Sequence, residues 1–359
     1  MTDPVRTSAP SSTARARRPG STDVARLAGV SQKTVSRVMN DEPHVRQDVR
    51  LRVLQAAREL GYRRNNMARA LNSGRTHRIG VVSLGTALWG PATLLMAAER
   101  AARSTGYAVS LVNTFEDDPE GVVGAIEALL EQGVDGIVLS EPIDGGAVEV
   151  RVDVPVLTLG HFPALSAPRV LTVCGAADVA AEAATQHLLS LGHVTVRHVA
   201  GPQRWWSARE RTRGWRRALR AAGAEEKPVL FGDWSPASGH AAGRRLLAED
   251  PDLTAVFVAN DDMAIGTMRA LADGGRRVPD DVSVVGFDDI PSAAYLSPPL
   301  TTVGQDFDVV AADGLRLLLR AIESPGEPAP PLPSPSLPLV VRGSTARPGG
   351  YSARGRSAS

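Results

Sequence analysis

Cysteine is almost absent: Cys174 is the only one in 359 residues. A single thiol excludes an internal disulfide and fits a reducing cytoplasm. Lysine is nearly as scarce, with only Lys33 and Lys227 among the 40 basic residues. Aromatics are few too, with 6 Phe, 5 Trp and 4 Tyr. No apolar run reaches the length of about 18 residues that a membrane-spanning helix needs. Arg15, Arg17 and Arg18 are followed by no apolar stretch, so the N-terminus does not read as a secretory signal. Enzyme signatures are missing as well: there is no G-x-S-x-G, H-E-x-x-H, Walker loop or G-x-G-x-x-G. The expectation is a non-enzymatic cytoplasmic protein with no cofactor, no metal and no membrane contact.

What is present is an uneven charge. The whole chain carries 40 Lys+Arg and 39 Asp+Glu. Residues 1–78 hold 16 basic and 6 acidic side chains, a net of +10, and the remainder nets −9. Only 4 of those 16 basic residues lie in residues 1–20, a Ser/Thr/Pro/Ala/Arg-rich segment that reads as a disordered basic tail. A basic head on an acidic body is the footprint of a nucleic-acid binder.

Asp23 to Asn40 reads DVARLAGVSQKTVSRVMN. Val24, Leu27 and Ala28 form a short apolar helix face, Gly29 supplies a turn, and Ser31 is placed to cap a second helix. Val35, Val38 and Met39 then face inward, leaving Gln32, Lys33, Ser36 and Arg37 outside. Two short helices around a glycine turn make a helix-turn-helix, whose second helix enters the DNA major groove. Val49, Val53, Ala56, Ala57 and Leu60 give a third helix, stopped at Gly61. The head spans residues 21–64. Residues 65–77 include NNMARALNSG, too short for a stable isolated helix, and read as a hinge or linker.

From Ile79 apolar runs alternate with amphipathic stretches. Strands are expected at Ile79–Leu84, Ala108–Val112, Gly136–Leu139 and Val154–Leu159, then near Val194–Ala200, Val229–Phe231, Ala255–Ala259 and Val282–Gly286. Helices are expected at Ala92–Thr105 and Glu120–Gln132, then near Asp178–Leu191, Ala208–Ala222, Pro236–Ala248 and Asp262–Asp273. This argues two doubly wound α/β lobes with parallel sheets and ligand sites beyond the strand carboxyl ends. The core is placed at 78–346, with lobe one at about 78–175 and 304–335, and lobe two at about 176–303 and 336–346. Residues 324–338 are Pro-rich, and 347–359 read as a disordered tail.

The order of DVARLAGVSQKTVSRVMN, RVLQAARELGY, NNMARAL, RIGVVS, GPQRWWSARERTRGW, GDWSPASG, VANDDMAIGTMRAL, VSVVGFDDI and PPLTTVGQDF resembles the lactose-repressor family of transcription regulators. The likeness runs from about Asp23 to Ala346. Its last five motifs are nearer the lactose-type than the purine- or ribose-type members. It implies a homodimeric repressor, nucleoid-associated in a bacterial cell, with a type I periplasmic-binding-protein-like core. Such a protein binds a near-palindromic double-stranded operator and senses a small sugar, galactoside-like here. One departure is that the heptad tail that makes lactose-type members tetrameric is absent after Ala346, so a dimer is expected. Two other readings remain open: a constitutive DNA-binding dimer, and a transport-type sugar-binding protein, which lacks support here.

Matched residue by residue, the family places Ser31, Gln32, Lys33, Thr34, Ser36, Arg37, Asn40, His44 and Leu71 on DNA. Gln pairs bidentately with adenine and Lys donates to guanine. Arg37 suits a base edge or phosphate, while Thr34, Ser36, Asn40 and His44 suit phosphates, which set register. Leu71 is expected to wedge into the minor groove. The effector set is Trp89, Ser207, Arg211, Trp234, Asn260, Asp288 and Gln305. Arg211 offers forked donors for hydroxyls, Asn260 and Asp288 pair with hydroxyls, and Trp234 is expected to stack on a pyranose. Leu84 and Gly160 stand where lactose-type members carry polar sugar contacts, beside His161 and Trp89. Trp205 and Trp206 add bulk at the cleft lip. Arg46 and Gly20 replace helix-capping Ser and Thr, which is expected to weaken the head.

Overall fold

The computed structural model describes residues 19–39, 42–62, 74–84, 88–114, 121–140, 150–159, 165–173, 175–328 and 336–349. The chain divides into two compact units, Met1–Thr76 and His77–Ser359.

The first unit holds α1 (Ser21–Ala28), α2 (Gln32–Met39) and α3 (Gln47–Glu59). Gly20 has no side chain to cap α1, but its amide donates to Asp23 Oδ2 at 2.9 Å. Gly29 closes α1 at φ +64°, a left-handed conformation that glycine adopts without strain. Ser31 Oγ accepts from the Thr34 amide at 3.1 Å and caps α2. Arg46 supplies no side-chain cap to α3. Val24, Ala25, Ala28, Val35, Val38, Val53, Ala56 and Ala57 form the buried cluster. Ala25 stands in it where Leu27 was expected, and Leu27 is 50% exposed. At 100° per residue, Ala25 and Leu27 flank the Val24–Ala28 stripe on opposite sides, and the other helices cover the Ala25 side.

In the second unit, lobe one is a five-stranded sheet of order β2-β1-β3-β5-β7. Its strands are β1 (Arg78–Leu84), β2 (Ala108–Thr114), β3 (Gly136–Leu139), β5 (Val156–Thr158) and β7 (Val170–Thr172). All its pairings are parallel. Two short strands, β4 (Val150–Arg151) and β6 (Leu165–Ser166), pair beside it. Alternation along β1 fixes the layers. Ile79 and Val81 pack under Leu315, Leu318 and Ile322, while Val82 meets Ile126 and Leu129 on the opposite face. The helices are α4 (Trp89–Ser104), α5 (Gly121–Glu131) and α10 (Phe307–Glu323).

Lobe two is a six-stranded sheet of order β13-β12-β11-β10-β8-β9. Its strands are β8 (Arg197–Ala200), β9 (Leu230–Phe231), β10 (Ala255–Val258), β11 (Ser283–Asp288), β12 (Thr301–Gly304) and β13 (Leu339–Val340). Only β13 runs antiparallel among these pairings. On one face α6 (Ala177–Ser190) and α7 (Trp206–Ala222) bury Leu188, Trp215 and Leu219 against Phe257, Val285 and Phe287. On the other, α8 (Pro236–Glu249) and α9 (Asp261–Asp273) bury Leu246, Met263 and Leu271 against Val256 and Val284. The expected elements appear within a few residues of their predicted ends. The stretch from β12 to β13, which the sequence reading left without elements, supplies a strand to lobe two, a helix to lobe one, and a last strand to lobe two. Among the described residues no helix is long and apolar enough to cross a membrane.

His198 sits inside lobe two, stacked 4.9 Å from Phe257 and 5.3 Å from Trp215. Burial pushes its pKa down to about 4, aided by Arg216 and Arg211. The unfolded chain binds this proton below about pH 6.5, so the neutral ring stabilises the fold above that pH. The contribution is lost as pH falls toward 4. Asp261 and Asp288 have raised pKa values and act in the opposite sense, so a difference measurement isolates the histidine. Relative to His198→Leu, the native protein is expected to lose about 3 kcal/mol between pH 6.5 and 4. Urea midpoints of the two proteins across that range check it, and parallel pH profiles count against it.

Candidate functional site

The site in the first unit is the outer face of α2. Gln32, Lys33, Ser36 and Arg37 are exposed there, with Ser31 just before the helix and His44 exposed beyond it. Two of the expected readers are engaged within the head. Gln32 Nε2 donates to Ser21 Oγ at 2.8 Å, and Thr34 is half-buried with its hydroxyl 2.9 Å from Ser31 Oγ. Gln32 therefore exchanges a bond to α1 for any bond to a base. Arg37 Nε lies 3.6 Å from Glu42 Oε2 with both side chains about half exposed, a pairing that a phosphate displaces at little cost. His44 holds a positive φ of 71°. Asn40 and Leu71 lie outside the described residues.

In the second unit, one cleft of about 910 Å³, counted to its open mouth, gathers Trp89, Ser207, Arg211, Trp234, Asn260, Asp288 and Gln305. The topology explains this. Trp234, Asn260, Asp288 and Gln305 lie at or just beyond the carboxyl ends of β9, β10, β11 and β12, where doubly wound sheets bind ligands. Ser207 and Arg211 are four residues apart on α7 and share a face. Trp89 opens α4 in lobe one.

Arg211 is buried and anchored. Nη1 donates to the Ala259 carbonyl, and Nη2 donates to Asp288 Oδ1 at 3.2 Å. Its guanidinium carbon stands 3.9 Å from the Phe287 ring centre. Part of the fork expected for hydroxyls is thus spent inside the protein, although Nε is buried with no partner. Asp288 Oδ1 also accepts from Gln305 Nε2 at 2.6 Å. Burial pushes the Asp288 carboxyl up to about 6, with Arg211 and Gln305 opposing the shift. Trp234, Asp288 and Asp289 all carry positive φ values of 75°, 111° and 51°. Side chains held in that region cost about 1–3 kcal/mol each and cluster at ligand sites.

Two sequence-level roles need correction. Asn260 is first a helix cap: Oδ1 accepts from the Met263 amide at 3.0 Å and Nδ2 donates to the Trp234 carbonyl at 3.0 Å. One N–H and one lone pair remain for a ligand. Trp234 is only 4% exposed. Its ring fills the space left by Gly201, where any Cβ would lie 2.3 Å away, and meets Trp205 edge-on at 5.5 Å. Little of its face is left to stack on a sugar. Trp205 is likewise buried at 3%, so it packs beneath the lip, while Trp206 is half-buried.

The sequence reading missed Asp261. It is fully buried, accepts from Thr302 Oγ1 at 2.6 Å and from the Ile290 amide at 2.9 Å, and lies under Gly286, where a Cβ would meet Oδ1 at 2.1 Å. Burial and the neighbouring Asp288 push its pKa up to about 8. In the sequence it stands in the run Asn260–Asp261–Asp262, whose spacing alone does not sort cap, support and surface. Leu88, Pro91, Leu94, Leu159, Phe307 and Leu337 were also missed as lining residues. Gly160 and His161 lie outside the described residues.

Comparison with known proteins completes the picture. The family described as bacterial regulatory proteins, lacI family, matches residues 22–65, and a periplasmic binding protein-like domain matches residues 185–345. The lactose operon repressor of Escherichia coli (strain K12) is 35% identical over 302 residues, 83% of each chain. The ribose operon repressor of the same strain is 33% identical over 318 residues, 84% of this chain and 93% of its own. A crystal structure of the lac repressor dimer bound to operator and the anti-inducer ONPF is similar with TM-score 0.76 and 31% identity, covering 92% of this chain and all of that one. A transcriptional regulator CelR–cellobiose complex is similar with TM-score 0.66 and 32% identity, covering 91% of this chain. With identity of this order over nearly the whole folded chain, the protein belongs to the lactose-repressor family of helix-turn-helix transcription regulators.

Proposed function

We propose that this protein is a dimeric repressor that binds a near-palindromic operator through α2 and is released by a galactoside-like sugar bound between the lobes. The observation that carries the effector half is the single cleft holding Arg211, Asp288, Gln305 and Ser207 together. Support for the galactoside class is the run of second-lobe motifs nearest the lactose-type members. Release requires that sugar bind the two lobe arrangements with different affinity, a coupling of about 1–3 kcal/mol in typical cases. The experiment titrates galactosides, glucosides and nucleosides against a labelled operator complex. Dissociation by galactosides supports the reading. Release by a nucleoside and no sugar overturns the effector class, and no response to anything favours the constitutive binder.

For the DNA half, Gln32 and Lys33 open the recognition helix, and both are exposed. Replacing both with Ala is expected to relax base preference by about 1–3 kcal/mol at each touched base pair. Selection of sites from random DNA reads this out. An unchanged consensus sinks the assignment of these two residues.

A further inference from the structure

Several acids of the head are spent on its own structure. Asp23 accepts from the Gly20 amide at the start of α1, Asp48 pairs with Arg46 at the start of α3, and Glu59 accepts from Gln55 within α3. Glu42 is placed differently. Its Oε2 lies 3.6 Å from Nε of Arg37, on the recognition helix. Backbone bonds fix it there. The Glu42 amide donates to the Arg37 carbonyl at 3.0 Å, and the Glu42 carbonyl accepts from Arg50 Nη2 of α3 at 2.9 Å. The chain is thus folded back onto the end of α2. A carboxylate that swings off Arg37 still stays beside it.

An anion in this place works against DNA binding in general. Phosphates attract a basic head whatever the base sequence. A phosphate that comes to Arg37 displaces the exposed ion pair, but it then sits beside a tethered carboxylate and meets little net charge. A guanine edge is another kind of partner, because O6 and N7 are neutral acceptors. A carboxylate at Nε occupies the side of the guanidinium and leaves Nη1 and Nη2 as a fork. Guanine can take that fork with the ion pair intact.

We infer that Glu42 is a positioning residue for DNA recognition: it turns Arg37 from phosphate toward a guanine edge and so raises sequence specificity. This rests on α2 as the recognition helix. Glu42 weakens the general attraction that every duplex shares, and it spares the contact that only some sequences offer.

The test starts from sites selected out of random DNA with the native full-length protein. Glu42→Gln keeps the shape and the backbone bonds and removes the charge. The variant is expected to lose preference at a G·C pair of the native consensus. On DNA without the site, the slope of log affinity against log salt is expected to steepen by about 0.9, the share of one further phosphate. The ratio of specific to nonspecific affinity is expected to fall about threefold or more. Glu42→Asp, which restores the charge, is expected to restore the slope. In an Arg37→Ala background, Glu42→Gln is expected to leave base preference unaltered. Glu59→Gln removes the same charge about 13 Å farther along α3 than Arg50, beyond a Debye length at physiological salt, and is expected to match the native protein. An unchanged slope or an unchanged consensus in Glu42→Gln overturns the inference. So does an equal change in Glu59→Gln, which marks net charge in place of the pair, and so does a Glu42→Gln effect on base preference that persists without Arg37. A native protein that selects no consensus overturns the reading of α2 itself.

Discussion

Gly266→Ala is expected to destabilise lobe two by about 3 kcal/mol or more, a severe change for one methyl group. Intrinsic propensity points the other way, since Ala favours a helix interior over Gly by about 1 kcal/mol. Packing decides the sign. Helices α8 and α9 touch backbone to backbone where Gly239 faces Met263 and Gly266 faces Pro236. A Cβ on Gly266 would sit 1.9 Å from the Pro236 carbonyl oxygen and 2.6 Å from the His240 nitrogen. Neither atom is the end of a flexible side chain, so relief requires the helices to part. Parting them opens the cluster of Leu246, Met263 and Leu271 beneath. The control is Gly124→Ala on α5, where nothing lies within 4 Å of the added Cβ. That change is expected to be neutral or to stabilise by about 0.4–1 kcal/mol. Urea unfolding of both variants measures the contrast, and a Gly266→Ala protein as stable as the parent refutes the close-crossing argument.

Asp288 carries the second large effect, and the two obvious substitutions are expected to act differently. Asp288→Ala leaves Arg211 buried without its carboxylate, and breaking such a pair from one side costs about 3–5 kcal/mol. It therefore lowers the unfolding midpoint as well as the effector response. Asp288→Asn keeps an oxygen to accept from Arg211 and Gln305, which both bond to Oδ1. It converts only the second oxygen, the one left for a ligand, from acceptor to donor. Hydrogen bonds to charged groups contribute about 1.5–3 kcal/mol, so the effector concentration for operator release is expected to rise by roughly 10- to 100-fold. Operator affinity without effector is expected to hold in the Asn variant. Fluorescence anisotropy of an operator duplex, titrated with effector, gives both quantities. Full response in Asp288→Asn removes this carboxylate from the recognition of hydroxyls.

The contrast between these two side chains shows what the sequence made legible. Short apolar runs such as Ile79–Leu84 located the strands, and Leu315, Leu318 and Ile322 repeat at helical spacing. The latter repeat was readable too, but no helix was drawn through it. The seven cleft residues were legible through the resemblance to the family, and Trp234, Asn260, Asp288 and Gln305 also through their place after strands, where topology puts ligands. What each does was less so. Arg211 and Asp288 are 77 residues apart, and no spacing rule discloses that each holds the other. Trp234 reads as a stacking surface until Gly201, 33 residues earlier, turns out to leave the gap its ring fills. Such pairings arise in tertiary packing and leave no local periodic mark.

The order in which the chain visits its two sheets has a consequence for inheritance. Lobe one receives α10 only after lobe two has been given β12, and lobe two receives β13 only after that helix. A gene fragment ending after Gly304 would encode all the parallel strands of both sheets and still lack the helix that covers Ile79, Val81 and Leu157. Recombination inside the core therefore cannot trade one lobe for another by a single crossover. The helical head is different, because α1, α2 and α3 come from one contiguous stretch. A single breakpoint downstream of it can graft a new operator preference onto an old effector response.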